Sequence, residues 1–313
     1  MKKLSIIISL TLGSFTIAQN HSQMMKNILK PYPEPTHFTQ IDGNELAYTK
    51  SGNGKKTLIF IHGLSSNADA WSKNIAELKK DFTCIAIDLP GYGKSFKTSE
   101  VYTPTYFSET VVKLMDRLKI KKATIIGHSM GGQSAIKLAV NHPEKLEKLI
   151  LIAPAGLEQF SDLEAQMMTA VMTSKTVQNT SDDQIEKNYA INFYQMPKDV
   201  ESMIDDRKKI KKADDFVAHT IAIEKSVKGM LEDKVIDNLQ NIKTPTLVLL
   251  AKEDKLIPNP YLHPTLKIDD IASIAKSSIK NAEVKMISEA GHFLQYEKSK
   301  EVNAEIKAFV NTK

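Results

Sequence analysis

The stretch that most constrains this chain is Ala123-Thr-Ile-Ile-Gly-His-Ser-Met-Gly-Gly-Gln-Ser-Ala-Ile-Lys-Leu-Ala-Val140. Its first half is a short, apolar, β-branched run, long enough for a buried strand and too short for a helix. Its second half, from Met130, places Ala135, Ile136, Leu138, Ala139 and Val140 at helical spacing. Between them stands Gly127-His128-Ser129-Met130-Gly131, a G-x-S-x-G turn. A serine in a sharp strand-to-helix turn projects its hydroxyl clear of the sheet, and flanking glycines are needed where neighbouring backbone leaves no room for a β-carbon. The turn also aims the first amides of the helix, that of Met130 among them, at whatever sits against Ser129. A tight strand–helix loop with an N-cap serine would carry the same residues. A base and an orienting acid further along the chain decide between the two.

The rest of the chain supplies a setting for such a turn. Strands are expected at His37–Ile41 and Glu45–Thr49, joined by a hairpin at Asp42-Gly43. The wholly apolar run Thr57–Ile61 reads as an interior parallel strand ending in His62-Gly63-Leu64. A helix near Trp71–Lys80 follows, then the strand Thr83–Ile87, which breaks at Asp88. A helix around Tyr106–Leu118 precedes the serine turn, and Lys148–Ile152 is another apolar run. From Phe160 to about Leu239 no strand-like run occurs, and Ser161-Asp-Leu-Glu164 and Ser181-Asp-Asp-Gln184 each match a capping box. Strand character returns at Thr244–Ala251, followed by Glu253-Asp254, a helix near Ile268–Lys280, a last strand Glu283–Ile287 and a closing helix, Glu297–Val310. Strands alternating with helices imply an α/β fold with a mostly parallel, eight-stranded sheet covered on both faces and interrupted by about four inserted helices. The expected division is a core over residues 36–154 and 241–313, with a helical cap over 155–240. In such a sheet the chemistry belongs at the carboxyl ends of the strands, where His62, Asp88 and Ser129 all fall.

The first residues read as a secretory leader over 1–18, followed by a linker over 19–35. Lys2 and Lys3 precede an apolar stretch, and Thr16 and Ala18 stand where a peptidase would cut before Gln19. Export to the periplasm or medium is expected, with no integral membrane association once the leader is removed. Losing Lys2 and Lys3 leaves 40 basic against 37 acidic residues, too mild a balance to argue for nucleic acid. The single cysteine, Cys84, excludes an internal disulfide, and its apolar run implies that it is buried and inert. No His/Cys/Asp cluster has metal-ligand spacing and no glycine-rich loop has the dinucleotide pattern, so neither metal nor cofactor is called for.

A serine hydroxyl becomes a useful nucleophile when a neighbouring base takes its proton, and histidine has the right pKa. A carboxylate then fixes the imidazole tautomer and stabilises the cation that forms. Strand ends supply Ser129, Asp254 and His292 in that order, with Glu253 the competing acid. The oxyanion formed by attack needs backbone donors, expected from the amides of Met130 and Leu64. The side chains of Leu64 and Met130 are expected to abut the substrate, together with Met168 and Phe293.

With these pieces in place the chain resembles the α/β-hydrolase fold superfamily. The resemblance rests on His62-Gly63-Leu64, Asp88-Leu-Pro-Gly-Tyr-Gly-Lys-Ser95, Gly127-His-Ser-Met-Gly-Gly132, Glu253-Asp254 and Gly291-His292. It covers the chain from about residue 36 to the end, apart from the insert, and is greatest toward capped esterases and monoacylglycerol-lipase-like hydrolases. It implies a serine hydrolase acting on a small-molecule ester through an acyl-enzyme, with a cap where the helical insert stands. Serine at 129 departs from haloalkane dehalogenases and epoxide hydrolases, which carry aspartate there, and the HGGG loop of some lipases is absent. A C–C bond hydrolase of dienoate type shares the same residues. A ligand-binding homologue with little turnover, a peptidase and an acyltransferase stay open. The residues are silent on oligomeric state.

His62 is expected to brace the oxyanion loop and His128 to pack beneath the serine turn. Arg207-Lys-Lys-Ile-Lys-Lys212 reads as a solvated helix face.

Overall fold

The computed structural model describes residues 23–312; the leader reading of residues 1–18 lies outside them. Eight strands form one sheet: β1 (Thr36–Ile41), β2 (Asn44–Ser51), β3 (Thr57–Ile61), β4 (Thr83–Ile87), β5 (Ala123–His128), β6 (Leu146–Ile152), β7 (Thr246–Ala251) and β8 (Ala282–Ile287). Their order is β1-β2-β4-β3-β5-β6-β7-β8. β1 and β2 form the expected hairpin and β2 meets β4 antiparallel; every later pairing is parallel. The mostly parallel eight-stranded sheet is therefore as the sequence reading has it.

The apolar runs are explained by two-sided burial. Alternate side chains point to opposite faces of a strand. Ile59, Ile61, Ile85, Ile87, Ile125, Leu149 and Val248 join one core with Val111, Leu114, Leu138 and Ala275, from the helices Pro104–Arg117, Met130–Asn141 and Ile268–Ser278. Leu58, Phe60, Cys84, Ile126, Ile150 and Leu247 join a second core with Trp71, Ile75, Leu78, Val302 and Ile306, from the segment Ala68–Leu78 and the helix Ser299–Asn311. Cys84 is buried as expected, and burial pushes its thiol up to about 12.

Between β6 and β7 lie five α-helices: Asp162–Val171, Ser174–Gln178, Asp182–Ala190, Glu201–Lys209 and Phe216–Glu232. The expectation was about four. The pair 162–171 and 174–178 is split at Thr173, whose hydroxyl caps the second helix. Ser161 and Glu164 form the anticipated reciprocal capping box.

One expectation needs correcting at the N-terminus. Residues 19–35 read as a linker, yet from residue 23 the chain is docked. Met25 and Leu29 are buried against Ile210, Ala213 and Phe216 of the insert, and the Met25 amide donates to Asp215 at 2.8 Å. Tyr32 is buried and donates its hydroxyl to Asp88 at 2.8 Å. The prolines around Tyr32 signal an irregular path, which a docked segment can follow as readily as a free one. Among the described residues no helix is long and apolar enough to cross a membrane.

Candidate active site

Ser129 stands between the end of β5 and the helix Met130–Asn141 with φ 51° and ψ −119°. A non-glycine residue held there stores about 1–3 kcal/mol of strain and needs surroundings that fix it. They do so through four backbone bonds. Its amide donates to the Ile152 carbonyl at 3.1 Å, and its carbonyl accepts from Gly132 at 2.8 Å, Gln133 at 3.1 Å and Ala155 at 3.0 Å. The flanking glycines answer a close approach: a β-carbon at Gly131 would lie 2.3 Å from the Ile61 carbonyl oxygen, and one at Gly127 2.3 Å from that of Gly131. The seven positions from Gly127 to Gln133 are thus committed to presenting one hydroxyl.

His292 and Asp254 meet at the ends of β8 and β7. His292 Nδ1 lies 2.8 Å from Asp254 Oδ2, with both side chains almost wholly buried. The other carboxylate oxygen, Oδ1, accepts from the amides of Leu256 at 2.8 Å and Ile257 at 3.0 Å, so the group cannot swing away from the imidazole. With an ionised carboxylate as acceptor, Nδ1 carries the proton and Nε2 keeps its lone pair. Glu253, the competing acid, is engaged elsewhere. Its amide donates to the Ala290 carbonyl and its carboxylate accepts from the Ala290 amide, both at 3.1 Å. It splints the turn after β7 to the turn after β8. Glu297 holds the same loop by accepting from Gly291 at 2.8 Å. The pairing of Gly291 with Glu297 had no signal in the sequence beyond proximity.

The loop after β3 closes over Ser129. A β-carbon at Gly63 would fall 3.1 Å from Ser129 Cβ and 3.0 Å from His128 Nδ1, so the backbone leading to Leu64 passes directly against the serine. His62 braces that loop: its Nδ1 donates to the Gly63 carbonyl at 2.7 Å, and its Nε2 accepts from the Leu89 amide at 3.1 Å. Burial holds its pKa down to about 4, so the ring is neutral in this arrangement. Asp88 is a buried post rather than a reacting group. It accepts from the amides of Ala68 and Lys94, each at 2.7 Å, and from the Tyr32 hydroxyl.

The remaining candidates are dispersed. Leu64 is partly buried against the first core. Met130 has no exposed surface and its side chain belongs to that core, so the position offers the site an amide rather than a side chain. The physical reason is its place as first residue of a helix packed on the sheet. Phe293 stands edge-on to His128, ring centroids 5.1 Å apart, and to Phe193 of the insert at 5.6 Å. Met168 lies partly exposed on the helix Asp162–Val171, none of whose residues is fully buried.

Arg207 departs from the solvated face expected of its segment. Lys208 and Lys211 do pair at the surface with Glu186 and Asp182. Arg207 turns inward instead, giving Nη1 to His219 Nε2 at 3.1 Å, while His219 Nδ1 donates to the Gly91 carbonyl at 2.8 Å. Among the described residues no carboxylate lies within ion-pair distance of it. One turn back on the same helix, Met203 and Ile204 pack in the cluster that holds Phe193 and Phe293 beside His292.

Fold and site together define a hydrolase of α/β architecture. The chain belongs to the α/β hydrolase fold family, whose family model matches residues 56–299. It is 28% identical over 272 residues to the dihydrolipoyllysine-residue acetyltransferase component of an acetoin cleaving system from Cupriavidus necator, covering 86% of this chain and 67% of that protein. It is 26% identical to a 2-hydroxy-6-oxononadienedioate/2-hydroxy-6-oxononatrienedioate hydrolase from Paraburkholderia phymatum, with 83% and 90% covered. The solved structure of an esterase from Exiguobacterium antarcticum superimposes with a TM-score of 0.75 at 20% identity, over 89% of this chain and all of that one.

Proposed function

We propose that this hydrolase cleaves carboxylic esters through an acyl-enzyme on Ser129. The observation that carries the reading is the 2.8 Å bond from His292 to a doubly anchored Asp254, made past the carboxyl ends of β8 and β7, with Ser129 forced into its turn past the carboxyl end of β5. Ser129 Oγ attacks the carbonyl carbon as its proton passes to His292 Nε2. The oxyanion is received by the amides of Met130 and Leu64, aimed by the helix start and the loop after β3. The C–O bond breaks and the alcohol leaves with the proton held by His292. Water then attacks the acyl group and gives a proton to the same nitrogen, and Ser129 leaves protonated. Asp254 keeps the ring in the tautomer this sequence needs and stabilises its cation.

In this reading the five inserted helices over residues 155–240 act as the cap that shapes the acyl site, reaching the base loop through Asn192 and Phe193. The Phe293 amide donates to the Asn192 carbonyl at 2.9 Å, which supports a joined movement of cap and base loop. Residues 1–18 serve as an export leader, and the mature enzyme works outside the cytoplasm.

A second reading has a specific observation behind it. A partly buried guanidinium with no carboxylate within ion-pair distance is costly unless an anion completes it. Arg207 fits a substrate bearing its own carboxylate, and the Paraburkholderia relative is named for a dienedioate substrate. In that reading the same residues cleave a C–C bond. The test is a panel of p-nitrophenyl esters of graded acyl length, monoacylglycerols, and a vinylogous 1,5-diketone carrying a carboxylate, each run with wild type and Ser129→Ala. Ester turnover lost in Ser129→Ala supports the proposal. Inertness to every ester with turnover of the diketone favours the second reading, and turnover surviving in Ser129→Ala overturns both.

A further inference from the structure

His128 immediately precedes Ser129 in the turn. It is 2% exposed, and its ring centroid lies 4.9 Å from that of His292, 5.1 Å from Phe293 and 6.5 Å from Trp71. Its Nε2 lies 2.9 Å from the main-chain carbonyl oxygen of His292. A carbonyl only accepts, so Nε2 carries the hydrogen and Nδ1 is a bare lone pair in the neutral ring. That Nδ1 is buried without a partner among the described residues, and a β-carbon at Gly63 would come within 3.0 Å of it. Burial and the neighbouring His292 drive the His128 pKa well below the ordinary range, so the ring stays uncharged while His292 gains and loses its proton.

One residue thus ties together three parts that must stay in register. Its main chain is peptide-bonded to Ser129, and its ring is hydrogen-bonded to the backbone of the base and packed under the loop that carries the Leu64 amide. We propose that His128 is a positioning residue: its Nε2–H holds the His292 backbone so that the base stays aligned on Ser129. A residue that merely filled space would need no donor at this point, and it would not leave its second nitrogen unpartnered against Gly63. The proposal rests on Ser129, His292 and Asp254 being the reacting set, and that reading fails separately if Ser129→Ala keeps its turnover.

The experiment compares His128→Met, which fills similar volume without a donor, with His128→Gln, whose amide can reach the same carbonyl. Steady-state kinetics on whichever ester the wild type turns over best are read with melting temperatures of each variant. We expect His128→Met to lose about 10- to 100-fold in kcat with KM within about twofold, the size of effect that a misplacement near 1 Å produces. His128→Gln should recover most of that loss. Covalent labelling of Ser129 by a fluorophosphonate should slow in parallel with kcat. Unchanged kcat in a folded His128→Met protein, a Gln variant that falls as far as the Met variant, or a defect confined to KM would each overturn the proposal. If His128→Met does not fold, His128→Asn replaces it, since its amide is too short to reach the His292 carbonyl.

Discussion

Two neighbouring acids, Glu253 and Asp254, do different work because successive residues in a turn face different ways. Asp254 reaches His292, whereas Glu253 ties down Ala290 with its main chain and side chain alike. The distinction predicts unequal consequences. Asp254→Asn keeps the shape but leaves the wrong imidazole tautomer favoured, and it should lower kcat by about 10³- to 10⁴-fold with little change in melting temperature. Glu253→Gln should cost less than about tenfold in kcat and appear mainly as lowered stability, near 1 kcal/mol for a weakened charge-assisted bond. Parallel kinetics and thermal melts of the two variants check this, and comparable kcat losses would contradict it. Ser129, Asp254 and His292 could be singled out in sequence because each lies shortly past the carboxyl end of a strand. The division of labour between residues 253 and 254 was not legible, since it depends on a loop nearly 40 residues away. The inward turn of Arg207 was likewise hidden, because its neighbours Lys208 and Lys211 follow the surface pattern that composition suggests.

At the scale of elements, the strands were readable almost to the residue, since runs such as Thr57–Ile61 and Thr83–Ile87 face a helical layer on both sides. The insert was readable as helical but not in its count. Its helices are short, and a cap such as Thr173 can divide one periodic stretch into two. Its attachments were invisible. His263, in the segment between β7 and β8, lies 2.5 Å from Glu158 and 3.2 Å from Glu164, and its ring stacks on Phe160 with centroids 5.1 Å apart. Glu158 also accepts from the Asn259 amide at 2.8 Å. The bond to Glu158 raises the His263 pKa, and burial, followed by weaker repulsion from Asp254, raises that of Glu158. His263 holds its proton more tightly folded than unfolded, so its contribution is full at pH below about 6.5 and is lost as pH rises through its raised value, whereas that of Glu158 is lost at lower pH, as its own raised carboxyl value is passed. His263→Gln should therefore depress the melting temperature at pH 5.5, by a few degrees for a loss of about 1 kcal/mol, and much less at pH 8.5. Equal depression at both pH values would show that packing on Phe160, not charge, holds this junction.

Among the described residues, three buried histidines besides His292 stand at or beside the site: His62, His128 and His219. Burial lowers all three pKa values, His62 to about 4. The unfolded chain takes up these protons below about pH 6.5 and the folded chain resists, so stability present above that pH is lost as pH falls toward 4. For His62 alone the fall from 6.5 to about 4 corresponds to roughly 3 kcal/mol. Urea midpoints should drop steeply between pH 6.5 and 4, and His62→Gln should flatten that slope. A midpoint insensitive to pH over this window would contradict the neutral assignments.

The proposed ester cleavage depends on Ser129 being a nucleophile made reactive by the His292–Asp254 pair. Intact-mass and peptide mapping after treatment with a fluorophosphonate tests it most directly. One adduct per chain is expected, on Ser129, absent in Ser129→Ala and formed at least about 10³-fold more slowly in His292→Ala. A wild-type protein that takes no label, or labelling at Ser129 that proceeds at the same rate without the imidazole, would contradict it.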